Sequence, residues 1–462
     1  MYHQRFSLRL SRMLAVFFNL SRQRQIAAIA LPMVLSNLCV PLLGLVDTAV
    51  VGHLNDARYL GGVALGGSVI SLVYFLFSFL RMSTTGLTAQ AHGRNSEAET
   101  IHCLQQGISL ALVLSIVLLC AQQPIAQLLI YFSDASTDVT SQAVIYFKLR
   151  IWSAPATLVN LVLMGWFLGK QNARYPMWML LWGNIINIVL DLLFVMGLDW
   201  TTEGVALASV LADYATLLLA MYLLHKSAGA QIFSALKPRA FNLQGSRQLL
   251  ALNRDIFLRS LCLQAVFVFI AFQGATYGDN IVAANAVLLS FLMLVSYALD
   301  GLAYAAESLV GRAIGRNNVT ELSANLDILA LWCLILSLLF SLSYALLGHN
   351  FVALLTSIVS VQQQAAQYLN WMILLPLVAS WAYLLDGVFI GATQGKQLRN
   401  SMLLALLGFM LCFYLLSHWQ NHALWAALCV FMALRSVILA YYLLQQWRQQ
   451  LFFGIRLKSA NV

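Results

Sequence analysis

The residues 31–54, LPMVLSNLCVPLLGLVDTAVVGHL, are apolar enough to cross a membrane, yet they hold Asp47 and no Lys or Arg. A carboxylate at bilayer depth costs about 3 kcal/mol or more, so such residues face a cavity, pair with a neighbour or carry a proton. Pro41 lies six residues before the acid and removes a backbone hydrogen bond from the helix, and Gly44 weakens it again three residues before Asp47. A bendable helix beside a titratable group is what a proton-driven switch requires. The competing reading makes Asp47 an ordinary solvated acid near the outer end of its helix.

A second polar set lies in WGNIINIVLDLLFVMGL, where Asn184, Asn187 and Asp191 recur at i, i+3 and i+7. That spacing puts two amides and a carboxylate on one helical face, suited to sharing a proton or holding a small cation. Hydrogen bonding between helices accounts for the asparagines as well, though less readily for the acid. Farther along, Asp300, Tyr304 and Glu307 share one face, and Asp386 precedes Gly387. Asp300, Glu307 and Asp386 are therefore candidates for a second proton or cation site. Asp255 and Arg259, four residues apart, read as an ion pair along one helix, and Asp213 reads as structural.

Nothing enzymatic competes. The sequence has no phosphate-cradling GxxxxGK[ST], no HExxH and no GxSxG, so neither ATP coupling nor hydrolysis is expected, and no cofactor is called for. The eight histidines fall in loops or at span ends and build no metal site. The seven cysteines are scattered over apolar segments without a CxxC, as packing residues would be.

The elements that must position these groups follow from composition. Of 462 residues, 61% are hydrophobic and only 9% charged, against about a quarter charged in ordinary soluble domains. Apolar runs of membrane-spanning length recur with little between them. They lack the two-residue alternation of barrel strands, so helices are required. The polar breaks predict twelve spans: 26–51, 61–90, 101–131, 139–169, 175–198, 203–224, 250–277, 281–311, 322–347, 363–391, 400–417 and 423–444. The longest polar connection, 225–249, separates two six-helix bundles, 26–224 and 250–444, flanked by a segment 1–25 and a tail 445–462. Nineteen Lys and Arg fall on one side of these spans and only Arg58 on the other. The positive-inside rule makes the first side cytoplasmic, with both termini there, and makes residues 1–25 a retained lead-in. The net charge of +9 is thereby explained without nucleic acid. The opposite loops carry Asp56, Asp134, Asp138, Asp199, Glu203 and Asp279.

The halves repeat. A shift of 222 residues brings Gly52 onto Gly274, Ala64 onto Ala286, Gly165 onto Gly387 and Gly169 onto Gly391, and the tripeptide GRN at 93 onto GRN at 315. Tyr146 falls on Tyr368. The carboxylates do not repeat. A duplication with six spans per half predicts parallel repeats about an axis along the membrane normal, which is a transporter architecture.

The run around Asp47, together with YLGGVALG, LRMSTTGLTAQAHG, GNIINIVLDLLFVMGL, EGVALASV and LNRDIFLRSL, resembles the multidrug and toxic compound extrusion (MATE) family, in its DinF-like bacterial branch, over nearly the whole chain. The resemblance implies a monomeric antiporter of the bacterial inner membrane that exports organic cations and other amphipathic compounds as protons or sodium ions run inward. In that family the coupling carboxylate of the first span matches Asp47, and the polar pair of the fifth matches Asn187 and Asp191. A sixth-span hydroxyl, usually threonine, matches Ser209, and a fourth-span tyrosine matches Tyr146. The second-half sodium site of the NorM-like branch has no clear match in Asp300, Glu307 and Asp386, so H+ is the expected coupling ion ahead of Na+. A flippase for lipids or lipid-linked sugars shares this architecture and would use cations such as Arg81, Arg150 and Arg259. A channel fits isolated acids less well.

Overall fold

A computed structural model describes residues 19–52, 56–133, 135–229, 232, 247–449 and 451–456 of the chain. Residues 1–18, Asp134, most of the 225–249 connection, residues 457–462 and the side chains of Pro41 and Asp47 lie outside the described residues.

The described chain is all-α apart from one short pair of two-residue strands, β1 (Leu451–Phe452) and β2 (Ile455–Arg456). Among the described residues, eleven helical stretches are long and apolar enough to cross a membrane. A twelfth long helix, α1 (Leu20–Gly52, 33 residues), contains Asp47 in its backbone. The predicted spans are thus recovered, with helices extending a few residues past the apolar core at most ends. The third span differs from the prediction: it is broken into α4 (Glu97–Cys120) and α5 (Gln122–Phe132) at Ala121. Pro124, in the first turn of α5, has no N–H to carry the α4 ladder onward.

The duplication is visible in the element boundaries. Ala57–Gly93, which comprises α2 (Ala57–Leu76) and α3 (Phe79–Gly93), and α11 (Asp279–Gly315) are both 37 residues and start 222 apart. Thr137–Gly169 recurs as α13 (Val359–Gly391), 33 residues each. Even the left-handed residues that end these helices repeat: Asn95 with Asn317, and Gln171 with Thr393. The copies differ in detail. α11 runs unbroken where Phe77 and Ser78 interrupt the first half with tight i→i+3 bonds to Tyr74 and Phe75.

The chain divides into two compact units, one of 35–88 with 96–250 and the other of 1–34, 89–95 and 251–462. The division falls inside α1, after Val34. In the second unit the repeated GRN tripeptides meet. A Cβ on Gly93 would collide with the Arg312 carbonyl oxygen, and one on Gly315 would collide with that of Gln90. Gln90 and Arg312 are themselves related by the 222 shift, so the crossing is reciprocal, as in an isologous contact. Only glycine lets the backbones touch.

Candidate functional site

The fourth span of the first half shows how sequence opens a site. α6 (Thr137–Arg150) ends in a 3₁₀ turn, Ile151–Ser153, before α7 (Ala154–Gly169) resumes. Pro155, early in α7, cannot donate to the preceding turn. Side chains bond two carbonyls of this break: Tyr74 Oη donates to the Arg150 oxygen (3.3 Å) and Tyr214 Oη to that of Trp152 (3.0 Å). Tyr74 Oη also lies 2.8 Å from Ser153 Oγ.

Beside this break lies a cavity of about 640 Å³, within the range of about 300–1,000 Å³ that small-molecule sites occupy. Its wall draws on α1 through Gly44, α2 through Ser68 and Ser71, α6 and α7, α8 (Arg174–Asp191), and α9 (Thr202–Ala228). The sequence-derived residues Tyr146, Asn184, Asn187 and Ser209 all line it, interleaved with Met164, Met179 and Leu180. Asn187 donates from Nδ2 to Ser209 Oγ at 3.2 Å, which joins two residues 22 apart in sequence. Asn187 Oδ1 and Asn184 Nδ2 are enclosed and have no hydrogen-bond partner among the described residues.

Asp191 is fully buried at the end of α8. The helix then continues as a wider π turn, Leu192–Gly197, a local unwinding that recurs near functional residues. Asp47 lies one helical turn past Gly44 along α1. Val50, a further three residues on, packs with Tyr146, Val195, Val205 and Ala206, so the Asp47 backbone runs beside the elements that carry the cavity's polar groups.

Arg150, expected only as a flippase cation, and Asp213, expected as structural, form a pair in the wall that the sequence did not reveal. Arg150 Nη1 meets Asp213 Oδ2 at 2.6 Å, and Thr157 Oγ1 donates to the same oxygen at 2.9 Å. Asn160 Nδ2 donates to the Asp213 backbone carbonyl at 3.0 Å, and the Arg150 guanidinium lies 5.6 Å from the centre of the Tyr74 ring. The signal that could have found the pair is a charge well inside each of two apolar spans, which should prompt a search for a partner on another helix.

The second-half acids do not gather in this way. Asp386 is buried against two guanidiniums, Arg259 and Arg435. Asp255 pairs with Arg399 at 2.8 Å and Arg254 at 3.2 Å, which corrects the expected Asp255–Arg259 pair. Glu307 is buried, and its backbone oxygen would collide with a Cβ on Gly391. Asp300 is half-buried on the same helix.

The MatE family profile matches residues 32–193 and again 256–415, once in each half. The chain belongs to the MatE family. Among its relatives, DNA damage-inducible protein F of Escherichia coli (strain K12) is 46% identical over 93% of this chain and 94% of its own. Protein DETOXIFICATION 44, chloroplastic, of Arabidopsis thaliana is 28% identical over 89% of this chain and 80% of its own. A crystal structure of MATE in complex with MaD3S shares the fold at 19% identity, with a TM-score of 0.83 over 93% of this chain and 97% of that one. As a MatE member of the DinF-like branch, this chain is a multi-pass membrane transporter and is not an enzyme.

Proposed function

We propose that this chain exports amphipathic cations from a bacterial inner membrane by alternating access, driven by inward proton movement through Asp47, Asn187 and Asp191. The observation that carries the reading is the cavity itself, a drug-sized space where Asn184, Asn187, Ser209 and Tyr146 stand among methionines and leucines. Such a wall holds varied apolar bodies loosely and orients one polar end. Pro41 and Gly44 give α1 the weakness a protonation-dependent bend needs. A multidrug resistance protein, MdtK of Cronobacter sakazakii, is a 25% identical relative and adds support for efflux.

Protons are favoured over sodium because Asp386, a buried second-half candidate, already meets Arg259 and Arg435. A sodium ion there would face two cations across one carboxylate. In sodium-free proteoliposomes, a pH gradient should drive transport of a fluorescent organic cation, and a sodium gradient of equal size at uniform pH should not. Transport by the sodium gradient alone would overturn proton coupling.

The working arrangement is a monomer of two bundles, 26–224 and 250–444, with both termini and the 225–249 connection cytoplasmic. Single cysteines at Asp56 and Ser246 in a cysteine-free background should label from opposite sides of the membrane, and labelling of both from outside would contradict this topology. The flippase reading draws on Arg150 in the cavity wall, but Asp213 neutralises that charge.

A further inference from the structure

Arg150 and Asp213 have no part in the coupling scheme, and their geometry points to a second task. Arg150 meets the protein through one side-chain nitrogen: Nη1 donates to both Asp213 Oδ2 and Ser153 Oγ. Nε and Nη2 form the edge with which a guanidinium grips an oxyanion by two parallel hydrogen bonds. Neither bonds to any described residue. The side chain lines the cavity and keeps 15% of its surface exposed. Asn184 lines the same cavity with an Nδ2 that lacks an acceptor among the described residues. The cavity wall therefore carries a guanidinium edge that the fold itself does not satisfy.

We infer that the Nε–Nη2 edge of Arg150 is an oxyanion subsite, and that the transported class includes zwitterionic amphiphiles bearing a carboxylate, sulfonate or phosphate. Charge selects the zwitterion over a bare anion. The Arg150–Asp213 pair is neutral overall, and Asp213 sits beside the edge, so an oxyanion gains geometry from Arg150 and little net attraction. A cationic centre on the same molecule supplies that attraction at the acids of the coupling site. In this last respect the inference rests on the proposed export site, while the Arg150 contact stands by itself.

The test uses two matched rhodamine dyes, one with a free benzoate and one with that benzoate methyl-esterified, and measures binding to purified protein in a maltoside detergent by fluorescence anisotropy. Arg150→Lys keeps a cation opposite Asp213 and removes the fork. It should weaken binding of the free acid about tenfold, the worth of one charge-assisted hydrogen bond, and change ester binding by less than about twofold. The double variant Arg150→Met/Asp213→Asn leaves no buried charge unpaired and should show the same acid-selective loss. Equal losses for both dyes, or none for the acid, would overturn the subsite. A short-chain phosphatidylcholine that displaces the acid dye from wild type but not from Arg150→Lys would name a lipid headgroup as the source of the oxyanion. Absence of displacement would leave soluble zwitterions. If both dyes bind with this selectivity while a pH gradient moves neither, the export reading fails and the subsite stands.

Discussion

Asp191→Asn protein should insert, fold and bind an organic cation, yet show no drug-dependent proton movement in proteoliposomes. Asp191 is fully buried at the point where α8 widens into the π turn, and a single turn of helix separates it from Asn187, whose Nδ2 is bonded to Ser209. The amide is nearly isosteric with the carboxyl group, so packing is preserved, while the one proton-binding atom pair on this face of the helix is lost. Size-exclusion behaviour and thermal melting should match wild type, and proton flux on adding drug should fall to the protein-free background. Full antiport by correctly inserted Asp191→Asn would remove this residue from the mechanism.

The helical faces at this site were readable from sequence because spacing along one helix fixes which residues share a face. Asn184, Asn187 and Asp191 needed no tertiary information, and the twelve helices needed only the contrast between apolar runs and polar breaks. The Arg150–Asp213 pair joins residues 63 apart, and the Arg259 and Arg435 partners of Asp386 lie 127 and 49 residues away. No periodicity within a helix reports such pairs. The break at Ala121 is marked in the sequence by Gln122, Gln123 and Pro124 but was passed over because apolar residues resume at Ile125, and the π turn after Asp191 was hidden because Leu, Phe, Val and Met suit an α-helix equally well. The 222-residue shift foretold the repeated element boundaries, but neither the glycine crossing nor the charge partners, since each half carries its own acids on a common scaffold.

The second large effect is expected at Asp386. Asp386→Leu would leave Arg259 and Arg435 as neighbouring buried cations; the two keep 7% and 1% of their side-chain surface exposed. Removing one member of a buried charge cluster costs about 3–5 kcal/mol, because the two buried guanidiniums lose the carboxylate they share. Arg435→Met should cost less, since Arg259 still meets Asp386. The triple variant Arg259→Met/Asp386→Leu/Arg435→Met, with no charge left to satisfy, should regain most of the loss. Detergent-solubilised melting of the four proteins checks this order. If Asp386→Leu melts like wild type, the cluster is not a structural clamp, and the carboxylate would be open to a role in coupling after all.

If protons drive export through Asp47, a cationic drug and a proton should not occupy that carboxylate together, and infrared difference spectroscopy of the reconstituted protein tests this most directly. Adding a cationic drug at fixed pH should remove a protonated-carboxyl band and release protons to the medium, and both signals should be missing in Asp47→Asn. The same band loss and proton release in Asp47→Asn as in wild type would contradict the account.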